Sequence, residues 1–344
     1  MGECYYIGVD VGTGSVRAAL VAKNGAILKT KTEAISIHNP KPNFYEQDAE
    51  EIWQAVSHCV QDVTSDVDEK SKIHSIGFDA TCSLVVVDIN YNPVSVDINT
   101  GEKRYNIIMW MDHRAKLEAD FINAKGHKVL KYVGGRISLE MQTPKLLWLK
   151  KNMKKTWGEA AYFLDLPDYL TMRATGKLSR SLCSVVCKWT YICDGASQGW
   201  DYDYFSSIGL EDLSKDCWNK IGTEILPPGS SCGNMTNEAA SALGLSTKTV
   251  VATSLIDAHA GGLALVSAHA TCQKDLIGRL GLVCGTSTCH MCVSNDPVFV
   301  EGVWGPYFSA MVPGCWLNEG GLSATGALVD HIIKNHSASK DYLE

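Results

Sequence analysis

IGVDVGTGSVRAAL, residues 7–20, decides how this chain is read. Two β-rich runs, Tyr5 to Val11 and Val16 to Ala22, flank a short polar turn, Gly12-Thr13-Gly14-Ser15. Asn24-Gly25, a strong two-residue hairpin signal, then turns the chain into a third run, Ala26 to Ile35, so three antiparallel strands are expected in succession. The two glycines of the first turn let the backbone come close to a phosphate, and the amides and hydroxyls of Thr13 and Ser15 can donate to its oxygens. Asp10, at a strand end, can hold Mg²⁺ through water, and Arg17 adds a cation on the same arm. No Gly-Lys-Ser/Thr opens a helix here, which excludes a Walker loop, and a strand follows the turn, which excludes a dinucleotide fingerprint. Taken alone, the turn is also that of an ordinary glycine hairpin.

A second turn of the same kind lies far downstream, Cys284-Gly285-Thr286-Ser287-Thr288, between the apolar runs Leu280 to Cys284 and Cys289 to Val293. Two such hairpins facing each other across a cleft can clamp neighbouring phosphates from both sides. Between them Asp257 ends the apolar run Thr249 to Ile256 and precedes a small-residue helix start, AHAGGLALV. It reads either as a helix cap or as a base that takes the proton of an attacking hydroxyl while a phosphoryl group leaves.

At 344 residues, 45% hydrophobic and 20% charged, the chain suits two domains, which we divide as 1–250 and 251–344. A formal charge of -7, with 31 spread-out basic residues, leaves no electrostatic footprint for nucleic acid or an anionic membrane. The densest basic run, Lys145 to Lys155, reads as the wet face of a helix. The first residues lack the pattern of a secretory signal, and no apolar run approaches the roughly 18 residues that span a bilayer. Thirteen scattered cysteines predict a reduced, cytoplasmic compartment. Cys289 and Cys292 form a C-x-x-C without a second pair at zinc spacing, and read as buried strand residues.

The first ~110 residues read as β-β-β-α-β-β. The helix is Ala49 to Val63, with Ile52, Ala55, Val56, Cys59, Val60 and Val63 on one face, and the strands after it are Ile73 to Ala80 and Leu84 to Ile89. Helices follow: one opening at Thr143-Pro144 with Thr as the cap, one opening at Pro167-Asp168 and ending at Gly176, then Asn237 to Leu243 and Ala327 to Asn335.

D-x-G-T-x-S-x-R at residues 10–17 with the later G-T-S resembles the ATPase fold shared by actin, heat-shock chaperones and sugar kinases. Within it, SLIDAHAG at 254–261 resembles the catalytic-aspartate segment of the FGGY carbohydrate kinases, and WMDHRA at 110–115, GFDAT at 77–81 and DLPDYL at 165–170 with Thr175-Gly176 are similar to further segments of that family. Cys187-Lys188-Trp189-Thr190, Ile256-Asp257-Ala258-His259 and Asn318-Glu319-Gly320-Gly321 look like the substrate segments of its ribulokinase-like branch. The stretch from Trp110 to Lys188 has no counterpart role in a chaperone or cytoskeletal ATPase.

The resemblance implies an α/β, actin-like ATPase (ribonuclease H-like) fold whose first lobe is complete and whose second is partly present. It implies an ATP- and Mg²⁺-dependent kinase that phosphorylates D-ribulose at its terminal hydroxyl to D-ribulose 5-phosphate. A sugar-binding module without turnover, or a kinase for another pentulose or polyol, are the alternatives. Carried onto this sequence, the catalytic residue is Asp257. ATP falls to Asp10, Gly12, Thr13, Gly14, Ser15, Arg17, Gly285, Thr286 and Ser287, the sugar to Ala80, Lys188, Asp257 and Glu319, and the metal to Asp10 and Asp257. The expected partner is a small-molecule sugar, with a second copy of the chain as a possible one and with neither nucleic acid nor membrane. Trp110 is expected in the core or cleft wall, Asp112 and Arg114 as an ion pair or as direct contacts, and His113, His259 and His290 as structural histidines. Such kinases have a bulky second lobe that holds adenosine, and HSASKDYLE at 336–344 is polar and unpatterned, so a truncated, spliced or fragment form of a longer kinase is expected.

Overall fold

The computed structural model describes residues 4–285 and 287–339. Strands β1 (Tyr5–Val11), β2 (Ser15–Ala22) and β3 (Ile27–Ala34) form the expected antiparallel meander, with Asp10 opposite Arg17 and Arg17 opposite Thr32. Ile7, Val9 and Val11 alternate into the core, as do Val16, Ala18 and Leu20, which is the period of two that fixes the register. A hairpin that the β-β-β-α-β-β reading does not contain follows, β4 (His38–Lys41) and β5 (Phe44–Asp48). Its proline and asparagine content hides it, and Asn43 takes the left-handed turn position at φ 70°. Asp48 then caps α1 (Ala49–Val63), its carboxylate accepting from the amides of Glu50 at 2.9 Å and Glu51 at 3.3 Å.

β6 (Ile73–Ala80), β7 (Leu84–Val87) and β8 (Tyr105–Ile108) are followed by α2 (Lys116–Lys125), α3 (Gln142–Asn152), β9 (Tyr162–Asp165), α4 (Leu166–Thr175) and α5 (Leu182–Lys188). Then come β10 (Ser231–Asn234), α6 (Asn237–Leu243), β11 (Val250–Ala252), β12 (Leu255–Ile256) and α7 (Asp257–Ser267). The chain continues through β13 (Leu280–Cys284), β14 (Thr288–Ser294), β15 (Trp304–Phe308), β16 (Trp316–Leu322) and α8 (Gly326–Asn335). The central sheet runs β10-β11-β6-β1-β2-β3, with β12 also beside β6. β1, β11 and β12 are all parallel to β6, so their carboxyl ends share one edge. The order β4-β5-β8-β7-β9 makes a second sheet and β13-β14-β16-β15 a third.

The buried run Thr249 to Ile256 is not one strand. Val251 pairs with Ile76 and Leu255 with Asp79, so four residues of this chain segment span three of its partner. The break at Thr253-Ser254 is held by Thr253 N–H on the Ser230 carbonyl at 2.9 Å and by the Ser254 hydroxyl on Asp168 at 3.0 Å. It aims the end of β12 into the cleft. α7 then lies close on the third sheet because Gly261 and Gly262 carry no side chain: a Cβ on Gly262 would stand 2.5 Å from the Met291 sulfur. One apolar cluster therefore runs from Ile256 and Val266 through Met291, Tyr307 and Leu317 to Cys187 and Trp189.

Two further expectations are corrected. α3 starts at Gln142 after Met141 with no side-chain cap, and the Thr143 hydroxyl instead shares a 3.0 Å hydrogen bond with the Tyr204 hydroxyl. Lys145 is not on a wet face: it is fully buried, and its ammonium donates to the carbonyls of Met109 at 2.9 Å and Trp110 at 3.2 Å. Burial lowers the pKa of this lysine, while the two carbonyls satisfy its donors and tie it to the chain that carries Trp110. Asp112 and Arg114 are an internal pair, joined by Glu46: the Arg114 guanidinium donates to both carboxylates at 2.8 Å with all three side chains out of solvent. Among the described residues no helix is long and apolar enough to cross a membrane.

Asp168 anchors the floor of the cleft. Its carboxylate accepts from Arg180 Nε at 2.7 Å, from the Ser181 amide at 2.9 Å and from the Ser254 hydroxyl at 3.0 Å, tying α4, α5 and β12 together in the core. Asp168→Ala strands a buried guanidinium, and the expected loss is about 3–5 kcal/mol of unfolding free energy in a urea titration. A loss below about 1 kcal/mol would mean that the anchor is dispensable.

Candidate active site

The carboxyl ends of β1, β6 and β12 open into a cleft of about 800 Å³ between the first and third sheets. Asp10 and Asp79 are register partners on β1 and β6, Leu255 faces Asp79 from the other side, and Asp257 stands two residues beyond it. The topology alone thus brings three carboxylates to one edge, where ligands bind in open parallel sheets. Asp79 is the residue that sequence reasoning quoted and gave no role. The signal was present, since β1 and β6 are both apolar runs that reach an Asp at their carboxyl ends.

Asp10, Gly12, Thr13, Gly14, Ser15 and Arg17 line this cleft from the first turn, and Gly285 and Ser287 from the second. Thr286 lies outside the described residues. Both turns are closed by backbone bonds, from the Gly12 amide to the Ser15 carbonyl at 3.0 Å and from the Gly285 amide to the Ser287 carbonyl at 2.8 Å. Thr13 is pinned from behind, its hydroxyl accepting from the Trp110 indole at 3.0 Å and its carbonyl from the Gln47 amide at 3.0 Å. Trp110 is therefore a wall residue with a hydrogen-bonding duty. A Cβ built on Gly14 would meet nothing within 4 Å. The glycine is thus not demanded by the protein's own packing; it leaves the cleft side of the turn free for an incoming group to approach the backbone.

Like charges set the electrostatics. Burial, and then the charges of Asp10 and Asp257, push the Asp79 carboxyl up to about 9, so it is protonated at neutral pH. Burial also raises Asp257, to about 6; the Ala258 amide, 2.7 Å away, pulls it down and the Asp10 charge pushes it up again. The Asp257 side chain does not cap its helix, since α7 begins with Ile256 at the cap position and no side-chain cap bond. Arg17 reaches Asp10 at 2.8 Å, both side chains being partly in solvent. The donor set is hard oxygen with excess negative charge, which fits Mg²⁺. Asp10 and Asp79 share a side-chain hydrogen bond, and Mg²⁺, which keeps several waters, suits an edge of such oxygen donors.

The opposite end of the cleft is polar and dry. Lys188 and Glu319, each 3% exposed, face each other at 3.7 Å, and the Lys188 ammonium lies 4.1 Å over the Trp304 ring. Burial acts to lower Lys188, but Glu319 together with the other acidic groups around it, Glu140 among them, outweighs burial, and the ammonium stays charged with its pKa well above the usual value. Glu319 Oε2 is buried without a hydrogen-bond partner, an acceptor ready for a hydroxyl. His259, also buried, is driven by burial down to about 4 and is neutral. Ala80 does not reach this wall: it is fully buried in the core of the central sheet, because it sits one residue past Asp79 and points to the opposite face. Glu140 and Trp304, which the sequence reading left unassigned, line the cleft beside Lys188.

With this geometry in hand, known proteins are informative. A family model described as FGGY family of carbohydrate kinases, N-terminal domain, matches residues 5–264, and the corresponding C-terminal domain matches residues 280–344. The chain is 52% identical over 344 residues to the human FGGY carbohydrate kinase domain-containing protein, covering 98% of this chain and 62% of that one. It is 42% identical over 360 residues to a D-ribulokinase of Saccharomyces cerevisiae, covering 97% of this chain and 50% of the relative. The chain thus spans half to about three-fifths of the length of these curated relatives. In fold it is similar to a xylulose kinase from Rhodospirillum rubrum, with a TM-score of 0.80 at 20% identity over 98% of this chain and 66% of the other. The actin-like ATPase fold expected from the first turn is the fold observed.

Two outcomes follow from the cleft. Gly14→Ala should leave the melting temperature within about 2 °C and weaken binding of Mg²⁺-ATP at least about tenfold by calorimetry; unchanged binding would separate the turn from phosphate. Asp79 has a raised folded-state pKa, so its contribution favours folding below the unfolded value near 4 and is lost as pH rises through about 9. Asp79→Asn should therefore raise the melting temperature of the ligand-free protein by at least about 2 °C at pH 8, with the difference closing toward pH 4.

Proposed function

Because the chain belongs to the FGGY family of carbohydrate kinases, we propose that its cleft transfers the terminal phosphoryl group of ATP to the terminal hydroxyl of D-ribulose, giving D-ribulose 5-phosphate. The observation that carries the reading is the place of Asp257: a carboxylate raised to about 6, between the two glycine turns on one side and the Lys188–Glu319 floor on the other. A base in that position meets the hydroxyl of a sugar seated on the floor as it attacks a phosphate held by the turns. The kinship to a D-ribulokinase supports a pentulose as the sugar.

Each group then has a task. Lys188 donates to, and Glu319 Oε2 accepts from, hydroxyls of an uncharged open-chain sugar, and a sugar lacking a matching hydroxyl leaves those buried groups unpaired. Asp257 takes the proton of the terminal hydroxyl. The backbone and hydroxyls of the turn at Gly12 to Ser15 and of the turn at Gly285 and Ser287 orient the phosphates, with Arg17 beside them. Asp10 and Asp257 would hold Mg²⁺, which would supply positive charge against the phosphates and the carboxylates. Positioning and electrostatics supply the acceleration, with no covalent intermediate. The thirteen cysteines suit a reducing cytoplasm as the place of this work.

Release of ADP, measured against a panel of pentuloses and pentitols, tests the reading. D-ribulose should give the highest kcat/KM, and sugar binding by calorimetry without ADP release would replace the kinase with a sugar-binding module. Asp257→Ala should lower kcat by at least about 10³-fold and change sugar affinity by less than about tenfold. Since Asp257 works deprotonated, turnover should climb as pH rises through about 6 and then level off. A rate independent of pH across that range would remove Asp257 from the role.

A further inference from the structure

Directly beneath the Lys188–Glu319 floor lies a cluster that the phosphoryl-transfer reading does not use. Cys183 and Cys187 are one helical turn apart on α5, and His259 enters from the first turn of α7; all three are fully buried, and their ligand atoms lie within 4.8 Å of one another. The Cys187 sulfur is 3.3 Å from His259 Nε2, and Glu319 Oε2 is 3.6 Å from the same nitrogen. Glu319 Oε2 and His259 Nδ1 have no hydrogen-bond partner. An apolar core does not ordinarily collect two thiols, an imidazole and a free carboxylate oxygen at such separations.

The sulfur–nitrogen and nitrogen–oxygen separations are those of neighbouring ligands on one tetrahedral ion; Glu319 Oε2 stands beside His259 but outside the 4.8 Å group of the other three, so it would close onto the ion as the fourth ligand. Zinc bonds of about 2.3 Å to sulfur and about 2.0 Å to nitrogen or oxygen place sulfur and nitrogen about 3.5 Å apart and nitrogen and oxygen about 3.3 Å apart. We propose that Cys183, Cys187, His259 and Glu319 form a site for one soft divalent cation, of which Zn²⁺ is the natural choice, under the floor of the cleft. Thiolate and imidazole donors select zinc over magnesium, so the site is chemically distinct from the oxygen-lined edge at Asp10. Binding releases the two thiol protons to solvent, leaving two thiolates, one carboxylate, the dication and the Lys188 ammonium, whose charges cancel.

The site ties α5, α7 and β16 together two residues from Asp257. It also draws on Glu319, so the metal and a sugar held by Glu319 oppose each other, each weakening the other by the same factor. That antagonism rests on the sugar role proposed for Glu319; the metal site does not.

The test uses the full chain, made metal-free and reduced, titrated with Co²⁺ and Zn²⁺ alone. Co²⁺ should give the visible spectrum of a tetrahedral ion together with sulfur charge-transfer bands, one equivalent of Zn²⁺ should bleach both, and Mg²⁺ should not. An octahedral spectrum of an oxygen-bound ion without sulfur bands, or no bound-ion spectrum, overturns the site, and this readout needs no variant that must fold. Cys183→Ala with Cys187→Ala should abolish the bands and weaken Zn²⁺ by more than the roughly 10–100-fold that loss of an outer-shell partner costs. Cys292→Ala, which removes an exposed thiol elsewhere, should leave both unchanged. Loss of the bands in Cys292→Ala alone would assign them to adventitious thiols and overturn the proposal. In a final arm D-ribulose is titrated with and without Zn²⁺. A weaker sugar complex in Zn²⁺ is expected, and equal affinities overturn Glu319 as the fourth ligand. Absence of sugar binding in both arms counts against the kinase reading and leaves the cobalt spectrum to decide the metal site.

Discussion

Repulsion among Asp10, Asp79 and Asp257 is the constraint on which the rest of the site depends. Three parallel strands end side by side, and each delivers a carboxylate to the same edge. Burial of the edge, and after it the charge of neighbouring carboxylates, leaves Asp79 protonated at neutral pH and raises Asp257 to about 6. A fold does not gather such charge for stability. It does so where a cation, a phosphate and a proton are to be handled together, and strongly shifted acids mark such places.

The surrounding architecture holds that edge in place. The bulge at Thr253-Ser254 sets the angle at which β12 delivers Asp257, and the buried Asp168 carboxylate fixes that bulge through Ser254 while fixing α5 through Ser181. α5 ends at Lys188, so one anchor positions both Asp257 and the cation of the floor. On the far side, Gly261 and Gly262 let α7 sit close on the third sheet, which brings Glu319 within reach of Lys188 and His259. The placement of Asp257, Lys188 and Glu319 is a property of core packing, which a proposed transfer sensitive to displacements near 1 Å would need.

Much of this was legible beforehand, and unevenly so. The meander β1-β2-β3, α1, α6 and the strand pair β13-β14 follow from alternation, helical spacing and turn residues, all local signals. The two glycine turns and Asp257 stood out through their resemblance to FGGY segments; taken alone, the first turn reads equally as an ordinary glycine hairpin and Asp257 as a helix cap or a base. Long-range placement was not. Lys145 looked like a surface lysine until its carbonyl partners 36 and 35 residues away were seen, and Ala80 was assigned to the sugar although strand alternation sends it to the core. The hairpin β4-β5 was hidden by its prolines, and Asp79 acquired meaning only when the parallel pairing put it beside Asp10.

The central claim is that Asp257 faces the hydroxyl that is phosphorylated, and it is tested most directly by a crystal structure of this chain with D-ribulose and Mg²⁺. The account predicts the terminal hydroxyl about 2.6–3.2 Å from an Asp257 carboxylate oxygen, with inner hydroxyls on Lys188 and Glu319. A sugar bound with its terminal hydroxyl on the floor and an inner hydroxyl at Asp257, or bound outside the cleft, would contradict it.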